Sequence, residues 1–332
     1  MAPLPRGKSL PVIAVTVGDA SGIGPEIILR AVRSLRVQRA CSPLIFCHQN
    51  FARVVSKYAK VCVVPSPSGI VPLAKPSKTS GIIAYNAIKA ATQACLNGAV
   101  KALVTAPLSK ESLALALKSQ NLGSKNFIGH TELLAHLASP HLKKLNPEML
   151  MVCEKINSVM VSRHLPIAQV PNYISEQKII NTTLTAYNFI KKSAPKSKAS
   201  VVICALNPHA GDNGLLGAEE RIITSAVKKL NKLLNVKVSG PLPADSAWQK
   251  IKDGSLAASL IVTMYHDQTM IPLKCIVPEK IINVTAGLPF LRTSPGHGTA
   301  FDIAGKNIAN STAMEEAIIY AAKHSNIKLA GA

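Results

Sequence analysis

Short apolar runs alternate along the chain with longer stretches in which apolar residues recur every three or four positions. The runs "PVIAVTV", "SPLIFC", "KALVTAP", "MLMVCE", "SVMVSR", "SVVICAL", "LIVTMY" and "IINVTAG" read as buried strands. Between them, "GPEIILRAVRSL", "GIIAYNAIKAATQACLNG", "SKESLALALKSQ", "TELLAHLA", "ISEQKIINTTLTAYNFIKK", "GAEERIITSAVKKLNKLL" and "AMEEAIIYAAKHS" carry helical periodicity. Strands alternating with helices predict an α/β chain. In such sheets ligands gather outside the carboxyl ends of the strands.

Those ends are unusually polar. "TMYHDQTMIPLK" puts Tyr265, His266, Asp267 and Gln268 directly after an apolar strand. "VSRHLPI" puts His164 after another, and "LNPHAGDNGLLGAEE" puts His209 after a third. One histidine at a strand end is an ordinary capping or hydrogen-bonding residue. Three in equivalent places point to a metal centre that keeps open positions for substrate. Gly211, Gly214 and Gly217 permit tight backbone beside a ligand, whereas Glu219 and Glu220 read as helix-start carboxylates without a catalytic role. "TVGDASGIGPEI" spaces its glycines as neither a dinucleotide fingerprint nor a P-loop, and reads as a strand-to-helix turn with Pro25 in the first turn. "GLPFLRTSPGHGTAFDIAGKNIAN" reads as a loop of small residues carrying Arg292, His297 and Asp302, in which Arg292 can fork onto a phosphate or carboxylate.

Composition narrows the partners. With 332 residues there is room for two domains, and 48% hydrophobic against 4% aromatic residues makes the core aliphatic. No apolar run reaches the roughly 18 residues of a membrane span and no apolar leader precedes the first strand, so a cytoplasmic protein with no membrane partner is expected. The formal charge is +21, but the lysines are dispersed, aromatics do not interleave with them, and no nucleic-acid-binding signature accompanies them. The expectation is a basic solvated surface and no nucleic acid; a basic nucleic-acid-binding protein on the same fold is the alternative from another class. Seven cysteines without a CxxC pair read as reduced thiols rather than a cysteine zinc site.

"TVGDASGIGPEI", "VTAPLSK", "GHTELLA", "HLPI", "NPHAGDNGLLGAEE", "GPLPADS", "YHDQ" and "INVTAGLPFLRTSPGHGTAFDIAG" follow one another from Thr16 to about Gly305. In this order they resemble the 4-hydroxythreonine-4-phosphate dehydrogenases of pyridoxal phosphate biosynthesis. The resemblance implies an isocitrate/isopropylmalate dehydrogenase-like two-lobed α/β/α fold, not a Rossmann fold. The lobes would be residues 1–130 with 300–332, and residues 131–299, with the active site in the cleft between them. It implies a homodimer with the site at the subunit interface, His164 and His209 coming from one chain and His266 from the other. One divalent metal (Zn, Mg or Co) would sit on these histidines. His130, Thr131, Lys274, Asn283 and Arg292 would hold a small phosphorylated hydroxy-amino acid, and Lys274 or Asp245 would take its proton. NAD or NADP would lie against Gly296, His297, Gly298, Thr299 and Ala300, a segment similar to the adenine-side loop of isopropylmalate dehydrogenases. The implied reaction oxidises 4-phosphohydroxy-L-threonine to 2-amino-3-oxo-4-phosphohydroxybutyrate, which decarboxylates to 3-amino-2-oxopropyl phosphate. Asp212 and Ser246 depart from the family's glutamate and threonine, outside the matched ligands. Siblings acting on threonate or erythronate phosphate share these motifs.

Overall fold

The computed structural model describes residues 9–119, 129–139, 145–195, 200–327 and 329. From the N-terminus run β1 (Val12–Thr16), α1 (Gly24–Arg33), α2 (Leu35–Ala40), β2 (Ser42–Cys47), α3 (Gln49–Val55), β3 (Lys60–Val63), α4 (Lys78–Leu96), β4 (Ala102–Thr105), α5 (Lys110–Ser119) and α6 (His130–Ala138). There follow β5 (Glu148–Cys153), β6 (Ile156–Met160), α7 (Val170–Tyr173), α8 (Glu176–Ser193), β7 (Ser200–Cys204), α9 (Glu220–Leu233), β8 (Lys237–Leu242), α10 (Ala244–Lys252), β9 (Leu260–Thr263), α11 (His266–Ile276) and β10 (Ile282–Ala286). Last come β11 (Leu291–Pro295) and α12 (Thr312–Lys323).

The chain divides into two compact units, Met1–Leu145 with Leu288–Ala332, and Asn146–Gly287. The division falls later than residue 130 and earlier than residue 299, where the sequence reading had placed it. Two packing facts account for the shift: α6 lies against α4, and β11 pairs in parallel with β4.

In the first unit the strand order is β3-β2-β1-β4-β11, and every pairing is parallel. All strand exits therefore lie on one edge. The chain leaves β1 toward one side of the sheet and returns in β4 on the other, which makes β1/β4 a topological switch point. Strand interiors such as Ile13, Val15, Ile45, Leu103 and Val104 are fully buried, and the amphipathic α1 adds Ile27, Ile28, Ala31 and Val32. The aliphatic core expected from composition is present.

In the second unit the order is β10-β5-β6-β9-β7-β8. β5 runs antiparallel to both β6 and β10, while β6, β9, β7 and β8 are mutually parallel. Met151, Met160, Cys204 and Ile261 pack with Trp248 of α10 and with Met270 and Leu273 of α11. Among the described residues no helix is long and apolar enough to cross a membrane.

Several elements differ from the sequence reading: α2, α3, α7 and α10 lie outside its helical runs, and three strands and α11 depart from it as well. β11 occupies "LRTSP" inside the stretch read as a loop, and all five of its residues are buried. β3 and β8 escape the apolar-run criterion because "KVCV" and "KVSGPL" are partly exposed. The polar cluster after "LIVTM" opens α11, a helix that accommodates Pro272 near its end.

Candidate active site

The parallel register of the second unit brings the strand-end histidines to one edge. Met160 of β6 aligns with Thr263 of β9, and Val262 of β9 with Ile203 of β7. His164, His266 and His209 follow these three adjacent exits, and Asp245 follows the exit of β8. The rings of His164 and His266 lie side by side, with centroids 5.8 Å apart and planes tilted by 42°. Two imidazoles on one zinc-like ion, each with a nitrogen–metal bond of about 2.1 Å, place their centroids about 5–6 Å apart. The pair thus fits joint ligation. His209 is exposed, and among the described residues of one chain no three His, Cys, Asp or Glu side chains converge on a common ion position.

His266 opens α11, and its Nδ1 lies 2.6 Å from Asp267 Oδ1. Gln268 then does what the sequence did not disclose. Its Oε1 accepts the Met264 N–H at 2.8 Å, and its Nε2 donates to the Ala205 carbonyl at 2.9 Å. One buried side chain thereby ties the exit of β9 to the exit of β7, the two segments that carry His266 and His209. Thr269 hydroxyl contacts to Ser158 (2.8 Å) and Thr263 (2.7 Å) seat the same helix turn on β6 and β9. Gln268→Ala leaves the Met264 N–H and the Ala205 carbonyl buried without this partner. We expect a loss on the order of 2–3 kcal/mol, read as a lower thermal midpoint, with Gln268→Glu recovering part of it by keeping the acceptor.

Glu220 has a comparable role. It is buried, and its Oε1 accepts the backbone N–H groups of Leu206 (3.1 Å) and Asn207 (2.8 Å) while Oε2 accepts from Asn207 Nδ2 at 3.0 Å. Above this cradle His209, Ala210, Asp212 and Asn213 hold φ angles of 52°, 54°, 42° and 56°. A run of left-handed residues other than glycine is costly and persists only where its surroundings fix it. A Cβ on Gly211 would sit 2.5 Å from Glu220 Oε2, so glycine is required there. The ordinary helix-start role expected of Glu220 is therefore incomplete: it also anchors the histidine loop.

Lys274 lies exposed near the end of α11, and Asp245 exposed in the first turn of α10. Asn283, in β10 beside Met151 of β5, has a buried Oδ1 with no hydrogen-bond partner among the described residues.

The remaining sequence-predicted residues belong to the first unit. Arg292, in β11, is 1% exposed, and its Nη2 donates to Thr105 Oγ1 of β4 at 2.6 Å. Burial pushes its guanidinium down to about 9, opposed by the charge of Glu132, so it remains a cation at neutral pH. His130 begins α6; burial, and then the Arg292 charge, hold it well below the ordinary histidine range. Its Nε2 is buried without a partner among the described residues, and Thr131 beside it is buried. Gly296, His297, Gly298, Thr299 and Ala300 follow the exit of β11, with His297 and Gly298 exposed and Ala300 left-handed at φ 41°.

Solved structures of the same architecture define the class. The chain superposes on a 4-hydroxythreonine-4-phosphate dehydrogenase from Klebsiella pneumoniae with a TM-score of 0.80 and 32% identity, covering 95% of this chain and 100% of the other. A crystal structure of a 4-hydroxythreonine-4-phosphate dehydrogenase from Burkholderia phymatum gives 0.74 and 31%, over 95% and 98%. Among curated relatives, the 4-hydroxythreonine-4-phosphate dehydrogenase of Trichlorobacter lovleyi is 32% identical over 94% of this chain and 97% of its own length. The D-threonate 4-phosphate dehydrogenase of Salmonella typhimurium is 35% identical over 92% and 96%. These are α/β dehydrogenases. Residues 15–321 match the family model described as pyridoxal phosphate biosynthetic protein PdxA, and the chain belongs to that family.

Proposed function

We propose that this chain is a metal-dependent, NAD- or NADP-linked dehydrogenase that oxidises 4-phosphohydroxy-L-threonine at its C3 hydroxyl. The hydroxyl carbon gives a hydride to the nicotinamide and the hydroxyl gives up its proton. The resulting 3-oxo acid loses carbon dioxide to yield 3-amino-2-oxopropyl phosphate, a step of pyridoxal phosphate biosynthesis in the cytoplasm. The observation that carries the reading is the His164–His266 ring pair at neighbouring strand exits, with His209 on the next exit.

The three histidines are the residues that would hold a divalent ion (Zn, Mg or Co). Such an ion supplies Lewis acidity that lowers the pKa of a hydroxyl at neutral pH. Asp267, at Nδ1 of His266, fixes that ring and leaves Nε2 for ligation. Arg292 takes the anionic end of the substrate: it is a buried cation with fork geometry, and His130 and Thr131 supply neutral polar contacts beside it. The buried Asn283 Oδ1 takes a donor from the substrate. Lys274 or Asp245, both exposed, would accept the hydroxyl proton.

The site is assembled from two copies of the chain. Each histidine is followed closely by a large apolar side chain in solvent: Ile167 is 66% exposed, Leu215 82% and Ile271 58%. Large exposed apolar side chains beside each of the three histidine loops fit a surface that another chain covers. In this reading His164 and His266 come from one copy and His209 from the other, a different sharing from the His164-with-His209 arrangement that the resemblance implies.

A second reading rests on the 35% identity to a D-threonate 4-phosphate dehydrogenase. Steady-state kinetics with 4-phosphohydroxy-L-threonine, D-threonate 4-phosphate and erythronate 4-phosphate decide between the two. The reading predicts the highest kcat/KM for the amino acid. A preference for threonate phosphate would replace it with the sibling activity, and no turnover of any of the three would remove both.

A further inference from the structure

The first unit holds a buried acidic group that the reading above does not use. Asp19 follows the exit of β1 and is 0% exposed. Its Oδ1 accepts the Ser21 N–H at 2.9 Å, while its Oδ2 is buried with no hydrogen-bond partner among the described residues. Thr16, the last residue of β1, is equally buried, and its hydroxyl also lacks a partner among the described residues. Thr16 registers with Thr105 on β4, and Arg292 registers with Leu103 two residues earlier, so Thr16, Thr105 and Arg292 share one face of the sheet. Unpartnered buried polar atoms are rare and costly, more so when charged. Their concentration at one strand edge marks a place where a ligand completes the hydrogen bonding.

The backbone around Asp19 is fixed in advance. Its N–H donates to the Pro107 carbonyl at 2.8 Å, and Gly18, with φ 70°, lies so close that a Cβ would fall 2.4 Å from the same oxygen. Further along the loop the Ile23 N–H donates to the Thr299 carbonyl at 3.0 Å, and a Cβ on Gly22 would lie 2.7 Å from that oxygen. The loop after β1 is thus clasped to the exit of β4 on one side and to the 296–300 segment on the other. That is the β1/β4 switch point, where open α/β sheets bind nucleotides.

We propose that Asp19 and Thr16 form the subsite for the nicotinamide end of the dinucleotide, an inference that rests on the dehydrogenase reading. A carboxylate oxygen accepts the N–H of a carboxamide, and its charge favours the oxidised nicotinamide ring, which is cationic, over the neutral reduced ring. Arg292, on the same face, is kept for the anionic end of the substrate. The other chemical source of a cationic donor is the ammonium of an amino-acid substrate, and binding measured without substrate separates the two.

The test is calorimetric titration of the full-length, metal-loaded protein with the oxidised and the reduced form of whichever of NAD and NADP it uses. Asp19→Asn keeps an acceptor for the Ser21 N–H and should weaken the oxidised form about tenfold, and the reduced form about threefold or less. Thr16→Val removes only a hydroxyl that holds nothing in the fold, and should weaken both forms severalfold; it decides the matter if the Asn variant does not fold. Wild-type affinities in the variants would overturn the subsite, including the outcome in which Asp19→Asn alters only the KM of the amino-acid substrate. A wild-type protein that binds neither dinucleotide would overturn the dehydrogenase reading as well.

Discussion

His266→Ala should lose the bound metal and at least about a thousandfold in turnover while the fold is kept. Forfeiting Lewis-acid stabilisation of a developing alkoxide costs several kcal/mol, and about 1.4 kcal/mol is a factor of ten in rate. His164→Ala and His209→Ala should behave alike, because an ion on three imidazoles loses most of its affinity with any one of them. The fold should tolerate these changes: His164 and His209 are exposed, and His266 is only half-buried. Metal analysis of the purified variants separates the site from its surroundings. A variant with full occupancy and wild-type rate would take its histidine out of the centre.

Arg292→Lys should lower kcat/KM by about thirtyfold although the charge is conserved. A guanidinium makes two parallel hydrogen bonds to an oxyanion where an ammonium cannot, and charge-assisted hydrogen bonds are worth about 2 kcal/mol. The position leaves little room for compensation. Arg292 is 1% exposed in a fully buried strand, held by its 2.6 Å bond to Thr105. Kinetics indistinguishable from wild type would mean that the guanidinium serves the fold rather than the substrate.

Much of this arrangement is legible in the sequence for a simple reason. A strand ending in polar residues announces its carboxyl end, so His164, His209 and His266 can be placed on exits without coordinates. That they share an edge needs only adjacent parallel strands, which β6, β9 and β7 are. The strand bearing Arg292 was hidden because "LRTSP" sits among glycines and prolines, whose local preference for turns is overridden by pairing with β4. Gln268 and Glu220 were illegible for a different reason. Their work is done on backbone groups of other segments, Ala205 for one and Leu206 with Asn207 for the other, and no periodicity encodes such partners. Likewise the glycines of the first loop fail as a nucleotide fingerprint, yet the loop they shape encloses a buried carboxylate at the switch point.

The central claim is that two copies of the chain complete each metal centre, His209 from one and His266 from the other. Inactive His209→Ala protein mixed with inactive His266→Ala protein, with subunit exchange followed by native mass spectrometry, tests it most directly. In a mixed dimer one site receives His209 and His266 from the two intact positions, and the opposite site lacks both. Activity should return to about a quarter of wild type, since about half the dimers are mixed and each has one complete site. If exchange is complete and activity stays at the level of the separate variants, His209 and His266 of a site belong to the same chain, and the shared centre is wrong.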